Sequence, residues 1–93
     1  MTVTSTVEVD FPEELDQEQV AHLNHCLDVY RPDPGVTSIG LITLGGPPTR
    51  TVQFVCQGDR STQADMDSLA MVIVTDTLED AGFNPGTLRI HTV

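Results

Sequence analysis

The stretch VTSIGLITLGGPPTRTVQFVCQ, residues 36–57, sets the architecture of this chain. Two runs rich in β-branched and apolar residues, 36–44 and 51–57, lie on either side of the turn signal GGPP at 45–48. The second run alternates polar residues with an apolar set that is expected to point inward: Val52, Phe54 and Cys56. Two strands with so short a connection predict an antiparallel hairpin.

One further strand is predicted near each end of the chain. Residues 3–11 alternate with period two, which is typical of a half-buried strand. The inward-facing residues of this strand are Val3, Ser5, Val7, Val9 and Phe11. Residues 87–93 alternate two aliphatic residues against Arg89 and His91, which predicts the last strand.

The segment between the first strand and the hairpin predicts a helix. Asp16 and Gln19 match a capping box with Asp in place of Ser or Thr, so the helix should start there and run to about Tyr30. Apolar residues recur on one face of this helix: Val20, Leu23, Leu27 and Tyr30, with Cys26 at the edge. The sequence RPDPG at 31–35 terminates the helix, because proline cannot continue it.

A second helix is predicted between the hairpin and the last strand, from about 58–62 to Ala81. Three residues are candidate N-caps: Asp59, Ser61 and Thr62. Gly82 is placed to adopt the left-handed conformation that commonly follows a helix. The run MVIVT at 71–75 argues against this helix, since β-branched residues prefer strands.

The predicted order is β-α-β-β-α-β, in a single domain that spans residues 1–93. Right-handed crossovers on either side of the hairpin give a four-stranded antiparallel sheet with both helices on one face. This α+β architecture is the ferredoxin-like plait. Because that fold serves many unrelated functions, it assigns no activity to the chain.

The charge of the chain is strongly negative. Its 14 acidic residues face four arginines and no lysine, for a formal net charge of −10. Nucleic-acid backbones and anionic membranes require clustered Lys and Arg, so we expect direct binding to neither. The acidity would suit a basic protein partner, but a GC-rich genome or adaptation to salt would also produce it. With no basic and apolar leader and no membrane-length apolar run, we expect a cytoplasmic protein.

No catalytic or cofactor motif stands out in the sequence. The weak candidates for metal ligands are His22, His25 and Cys26. His22 and Cys26 lie one helical turn apart, but a zinc site needs at least one more ligand. A nucleophilic Cys26 would need a lowered thiol pKa, which an apolar helix face does not provide. We therefore expect no metal, no cofactor and no enzymatic activity.

Apolar residues in two places exceed what one core-facing stripe needs. The second helix carries a second apolar stripe, displaced from the one expected to face the sheet: Met71, Val74 and Leu78. The second strand carries Ile42 and Leu44 on the face opposite Ile39 and Leu41. Either the helix has a broad buried face, or these stripes form a surface that a second subunit or a partner covers.

Three functions are compatible with these features. The leading hypothesis is a non-catalytic protein–protein interaction or adaptor domain that can pair with itself as a homodimer. The first alternative is an acidic mimic of nucleic acid that inhibits a basic protein. The second is a small-molecule regulatory module similar to ACT domains, with a ligand near the loop after the first strand. The segment at 10–14 has no glycine that would let a ligand approach the backbone there.

Overall fold

The structure of the protein is a computed structural model that describes residues 2–28, 36–46 and 48–93. Its helices and strands follow the predicted order β-α-β-β-α-β. The four strands are β1 (Thr2–Leu15), β2 (Ser38–Thr43), β3 (Thr49–Asp59) and β4 (Arg89–Thr92). The helices are α1 (Gln17–Leu27) and α2 (Gln63–Asp80), and a 3₁₀ turn at Pro85–Thr87 precedes β4.

The strands form one sheet in the order β2-β3-β1-β4, in which every neighbouring pair is antiparallel. Both helices pack on the same face, because α1 contacts β1 and β2, α2 contacts β1 and β3, and the two helices contact each other. The ferredoxin-like plait and the hairpin of β2 and β3 are therefore confirmed. In the hairpin connection, Gly45 and Gly46 have φ angles of 91° and 71°, which residues with side chains rarely adopt.

Strand β1 is longer than predicted because it continues through a bulge. Asp10 lies opposite Thr51 and Leu15 lies opposite Thr49, so β1 advances five residues while β3 advances two. Residues 12–14 are exposed, and Leu15 returns to the core. The proline in this segment has no N–H to donate to the strand ladder, which favours a bulge at this point.

Helix α1 begins with the predicted capping box. The Gln19 N–H donates to Asp16 Oδ1 over 2.8 Å, and the Asp16 N–H donates to Gln19 Oε1 over 3.0 Å. The buried residues of the helix are Leu23 and Leu27. The predicted continuation to Tyr30 and the terminating prolines at 31–35 lie outside the described residues.

Helix α2 is capped at both ends by local hydrogen bonds. At its start Thr62, one of the three predicted candidates, accepts the N–H of the residue three positions later over 3.1 Å. At its end, the Gly82 N–H donates to the Glu79 carbonyl over 3.0 Å. The Phe83 N–H donates to the Leu78 carbonyl over 2.9 Å, which completes a Schellman motif. Gly82 has the positive φ, 93°, that this motif requires.

Helix α2 buries a broad face, which is the first of the two alternatives for its second apolar stripe. The other alternative, an exposed interaction surface at Met71, Val74 and Leu78, is wrong for Val74 and Leu78. Val74 and Leu78 are each 0% exposed, and Met71 is half-buried. Because α2 packs against two strands and α1 together, both of its apolar stripes lie in the core. Val72, on another side of the helix, is 57% exposed.

One core lies between the sheet and the helices. Its buried side chains are Val7, Val9, Phe11, Leu15, Leu23, Leu27, Val36, Ile39, Val52, Phe54, Cys56, Met66, Ala70, Ile73, Val74 and Leu78. The run at 71–75 is helical despite its β-branched residues, because burying one such side chain contributes about 1.5–3 kcal/mol. That gain exceeds a helix-propensity cost of about 0.5 kcal/mol per residue. No helix in the described part of the chain is long and apolar enough to cross a membrane.

Candidate functional site

The sheet face turned away from the helices, called the open face below, is polar. Its residues on the two central strands are those that the alternation predicts: Thr4, Thr6, Glu8, Asp10, Thr51, Gln53, Val55 and Gln57. Thr51 Oγ1 donates to Asp10 Oδ1 over 2.7 Å. Gln53 Nε2 donates to Glu8 Oε1 over 3.2 Å. This set contains no aromatic ring and includes two carboxylates, so it offers a nucleic-acid base no stacking platform.

Two aliphatic side chains near the β2 edge of the sheet are exposed. Ile42 is 49% exposed and Leu44 is 44% exposed. Ile42 lies opposite Gln53 of β3, which places it on the open face, whereas Leu41 lies opposite the buried Phe54. The structure therefore puts both predicted interaction residues of this hairpin at the surface, and their role in binding stays a prediction.

The three weak metal candidates on α1 do not assemble into a metal site. Cys26 Sγ and His22 Nε2 lie 4.0 Å apart across one helical turn, as predicted. His22 and His25 are exposed, and Cys26 is half-buried. Over residues 2–28, 36–46 and 48–93, no third metal-ligating side chain closes on this pair. Two ligands on one helical turn do not complete even an open zinc site.

A different group of potential ligands lies on the open face between β1 and β4. Glu8 is paired with His91 across the two strands, and Asp10 is paired with Arg89. Glu8, Asp10 and His91 each offer one ligand atom within 4.8 Å of the other two. His91 Nε2 lies 2.8 Å from Glu8 Oε2. The sequence reasoning missed this group, although it assigned all three side chains to the outward face of strands that are neighbours in the plait.

The carboxylate of Asp67 joins α2 to β1. The buried Ser5 donates its hydroxyl to Asp67 Oδ1 over 2.6 Å, and Gln63 Nε2 donates to the same oxygen over 2.9 Å. These hydrogen bonds, that from Ser5 first, lower the pKa of the Asp67 carboxyl because they stabilise its charged form. A general acid requires the opposite shift, so this geometry suits a structural role.

Both cysteines are free thiols. Cys56 lies in the core with 0% exposure, and burial raises the pKa of its thiol to about 11. A thiol that stays protonated and buried is neither a nucleophile nor a metal ligand at neutral pH. This environment agrees with the prediction that Cys56 points into the core.

Two shallow clefts in the described part of the chain meet at Phe83. The first has a volume of about 230 Å³ beside the β1 bulge and is lined by Phe11, Pro12, Glu13, Glu14, Leu15, Gln19, Phe83, Thr87 and Leu88. The second has a volume of about 280 Å³ between α1 and the end of α2 and is lined by Glu18, Gln19, His22, Ala81 and Phe83. Both are smaller than the usual lower limit of about 300 Å³ for small-molecule sites.

No protein-family model matches the sequence, and no similar protein was found among curated sequences. Among the solved structures that resemble this one are two dimeric ferredoxin-like proteins from an uncultured marine organism. The first is 12% identical with a TM-score of 0.56, over 97% of this chain and 88% of its own. The second is 12% identical with a TM-score of 0.51, over 97% of this chain and 89% of its own. At this identity, the likeness shows the fold alone.

Proposed function

We propose that this protein is a non-catalytic protein–protein interaction domain that pairs with a second copy of itself through the β2 edge of the sheet. The observation that carries the proposal is the pair of exposed aliphatic side chains, Ile42 and Leu44, on and beside an edge strand. Edge strands of this kind are templates for pairing with another chain.

The two edges of the sheet differ in chemistry. Strand β2 has the sequence SIGLIT, with neither a charged residue nor a proline, so it lacks the usual features that prevent edge-to-edge pairing. Strand β4 has the sequence RIHT and carries two basic or titratable side chains in four residues. An uncharged edge is also where two chains of charge −10 can approach with the least local repulsion.

The backbone of β2 has the geometry that such pairing requires. The Leu44 N–H donates to the Thr51 carbonyl of β3 over 3.2 Å. Because backbone groups alternate sides along a strand, the N–H and C=O of Thr43 point toward the outer edge. A second β2 related by a twofold axis at Thr43 would run antiparallel to the first and would place Ile42 opposite Leu44 of the other copy.

Two similar structures support self-association in this architecture, since both are described as dimeric ferredoxin-like proteins.

The distribution of charge favours this proposal over an acidic mimic of nucleic acid. The carboxylates of the described chain lie on several surfaces, including the open face, the β1 bulge and both ends of α2. A mimic would need them in a phosphate-like array on one surface.

The test is the oligomeric state of matched variants, measured by light scattering after size exclusion. We expect the wild type to be a dimer at high micromolar concentration and the double variant Ile42→Thr, Leu44→Thr to be a monomer. Threonine retains the strand propensity of β-branched residues. Val72→Thr changes an aliphatic residue on α2 that is slightly more exposed, and this matched control should remain dimeric. A monomeric wild type, or dissociation of the control alone, would refute the proposal.

Thr43→Pro distinguishes edge pairing from packing between open faces. Proline removes only the outward N–H of Thr43 and leaves the bonds to β3 in place. We expect this variant to keep its circular dichroism spectrum and lose the dimer. A folded, dimeric Thr43→Pro protein would place the contact elsewhere.

The cleft beside the β1 bulge supports a second candidate, a small-molecule regulatory module. It lies at the bulge within β1, the segment in which the ACT-like alternative placed a ligand, and Glu13 and Glu14 contribute to its lining. Two carboxylates favour a cationic ligand over an anionic one. A thermal-shift screen with amines, amino acids and nucleotides tests this candidate, and an unchanged melting temperature throughout would remove it.

A further inference from the structure

We propose that Glu8, Asp10 and His91 form a binding site for a divalent transition-metal ion, for which Zn²⁺ is the probe. Imidazole and carboxylate together are ligands typical of Zn²⁺, Co²⁺ and related ions. The site lies on the open face between β1 and β4, and it is independent of any self-association through β2.

The three ligand atoms are close to the spacing that a metal requires. They lie within 4.8 Å of one another. Zinc binds nitrogen and oxygen at about 2.0–2.2 Å, which places two ligand atoms of a tetrahedron about 3.4 Å apart. The largest closure needed is therefore about 1.4 Å. His91 Nε2 and Glu8 Oε2 are 2.8 Å apart, so a metal between them requires this pair to separate by about 0.6 Å, while the longer distances to Asp10 shorten. The side chains of His91 and Glu8 are 49% and 21% exposed, so rotation of their outer bonds can supply these adjustments without moving the strands.

The strands fix the starting geometry of the site. His91 lies opposite Glu8 in the antiparallel pair, and Asp10 follows Glu8 on the same face. Side chains that face each other in this way start from β-carbons about 4.5–5.5 Å apart. A site built on paired strands is better positioned than one on a single exposed helix turn, such as His22 and Cys26.

Each carboxylate is oriented by a donor from β3. Gln53 Nε2 donates to Glu8 Oε1, and Thr51 Oγ1 donates to Asp10 Oδ1. In each case the second carboxylate oxygen is left to bind the metal, and on Glu8 that oxygen is the one beside His91 Nε2. Outer hydrogen bonds of this kind hold metal ligands in position, and their loss typically weakens metal binding about 10–100-fold.

The charge around the site attracts cations, with one opposing group. The two carboxylates give the site a negative charge, and they belong to a chain whose formal net charge is −10. Arg89 lies opposite Asp10, and its positive charge disfavours the binding of a metal cation beside it. Three protein ligands leave further coordination positions toward solvent, where water can complete the coordination.

Titration calorimetry with Zn²⁺, together with the visible spectrum of the Co²⁺ form, tests the proposal. We expect one ion per chain in the wild type and at least a tenfold weaker affinity in His91→Ala. The double variant His22→Ala, Cys26→Ser removes the rival pair on α1 and should bind as the wild type does. Arg89→Gln should bind more tightly, and Thr51→Val should bind about tenfold more weakly.

Each other outcome overturns the proposal. Binding that is lost in the α1 variant and kept in His91→Ala would assign the ion to His22 and Cys26. Binding that is unchanged in both variants would indicate diffuse attraction to carboxylates. No binding by the folded wild type would show that the cluster does not hold a metal. Circular dichroism of His91→Ala is the check on folding, and His91→Gln serves as a second variant that retains a polar side chain.

Discussion

A pair of substitutions two residues apart on α2 tests whether its second apolar stripe lies in the core or at a surface. Val74 is 0% exposed and Val72 is 57% exposed, and the two residues have the same side chain in the same helix. Val74→Ala and Val72→Ala therefore delete identical groups from two environments. The difference between their effects on the free energy of unfolding reports burial alone.

The expected magnitude follows from burial. Removing two methyl groups from the core costs about 1.6 kcal/mol of transfer free energy, at about 0.8 kcal/mol each. The cavity left behind adds about 1 kcal/mol if the surroundings do not relax. The higher helix propensity of alanine raises the free energy of unfolding by about 0.5 kcal/mol. We expect Val74→Ala to lose about 2 kcal/mol and Val72→Ala to gain about 0.5 kcal/mol.

Urea unfolding followed by circular dichroism is the assay, since the chain contains no Trp. All variants should be compared at one protein concentration, because the proposed dimerisation would make the apparent stability depend on concentration. A loss of 2 kcal/mol is a large part of the stability of a domain of 93 residues, about 5–14 kcal/mol. Equal effects of the two substitutions, or a Val74→Ala protein that is stable but monomeric, would refute the burial of this stripe.

Three further predictions concern titration, thiol reactivity and salt. The pKa of the Asp67 carboxyl is lowered in the folded state, so its stabilising effect is present above the unfolded pKa of about 3.9 and is lost as pH falls below that value. The variant Asp67→Asn should therefore lose less stability than the wild type between pH 5 and pH 2, and an unchanged dependence of stability on pH would contradict this. Cys26 is half-buried, whereas Cys56 is 0% exposed and the pKa of its thiol is raised to about 11. Mass spectrometry after iodoacetamide treatment at pH 8 should find Cys26 modified first, and equal rates of modification of the two cysteines would show that the core opens readily. Two chains of charge −10 repel each other, so sedimentation should show a tighter dimer at about 500 mM than at about 50 mM salt; an acidic mimic bound to a basic protein would show the opposite trend.

The parts of the fold that sequence predicts well are those fixed by local chemistry. The capping box of Asp16 and Gln19 and the left-handed Gly82 each depend on residues a few positions apart. The alternation of β1 is equally local, because a shift of one residue would turn its buried side chains to solvent. Agreement among such local signals was sufficient to predict the complete order of strands and helices.

Features that depend on several elements at once were either missed or left open between alternatives. The length of the β1 bulge is set by pairing with β3, where Leu15 rejoins the ladder opposite Thr49. The burial of Val74 depends on α2 packing against α1 as well as the sheet. The approach of His91 to Glu8 depends on the register of the first and last strands. The hydrophobic periodicity of one segment carries no information on how that segment is aligned with another.

The two proposed sites occupy opposite parts of the sheet, and this separation makes their tests independent. Strand β2 is one edge, whereas the cluster of Glu8, Asp10 and His91 lies between β1 and β4 at the other. With strands about 4.8 Å apart, roughly 10 Å or more separates β2 from the nearest of these ligands. Gln53 lies opposite Ile42 and donates to Glu8, so it is a neighbour of both sites. The substitutions tested leave Gln53 unchanged, and effects at residues about 10 Å apart that do not contact each other are usually additive. Loss of the dimer in the Ile42 and Leu44 variant would therefore leave metal binding intact, and loss of metal binding in His91→Ala would leave the dimer intact. If one substitution abolished both properties, a contact between open faces would explain the data better, because that face carries Ile42 and the cluster together.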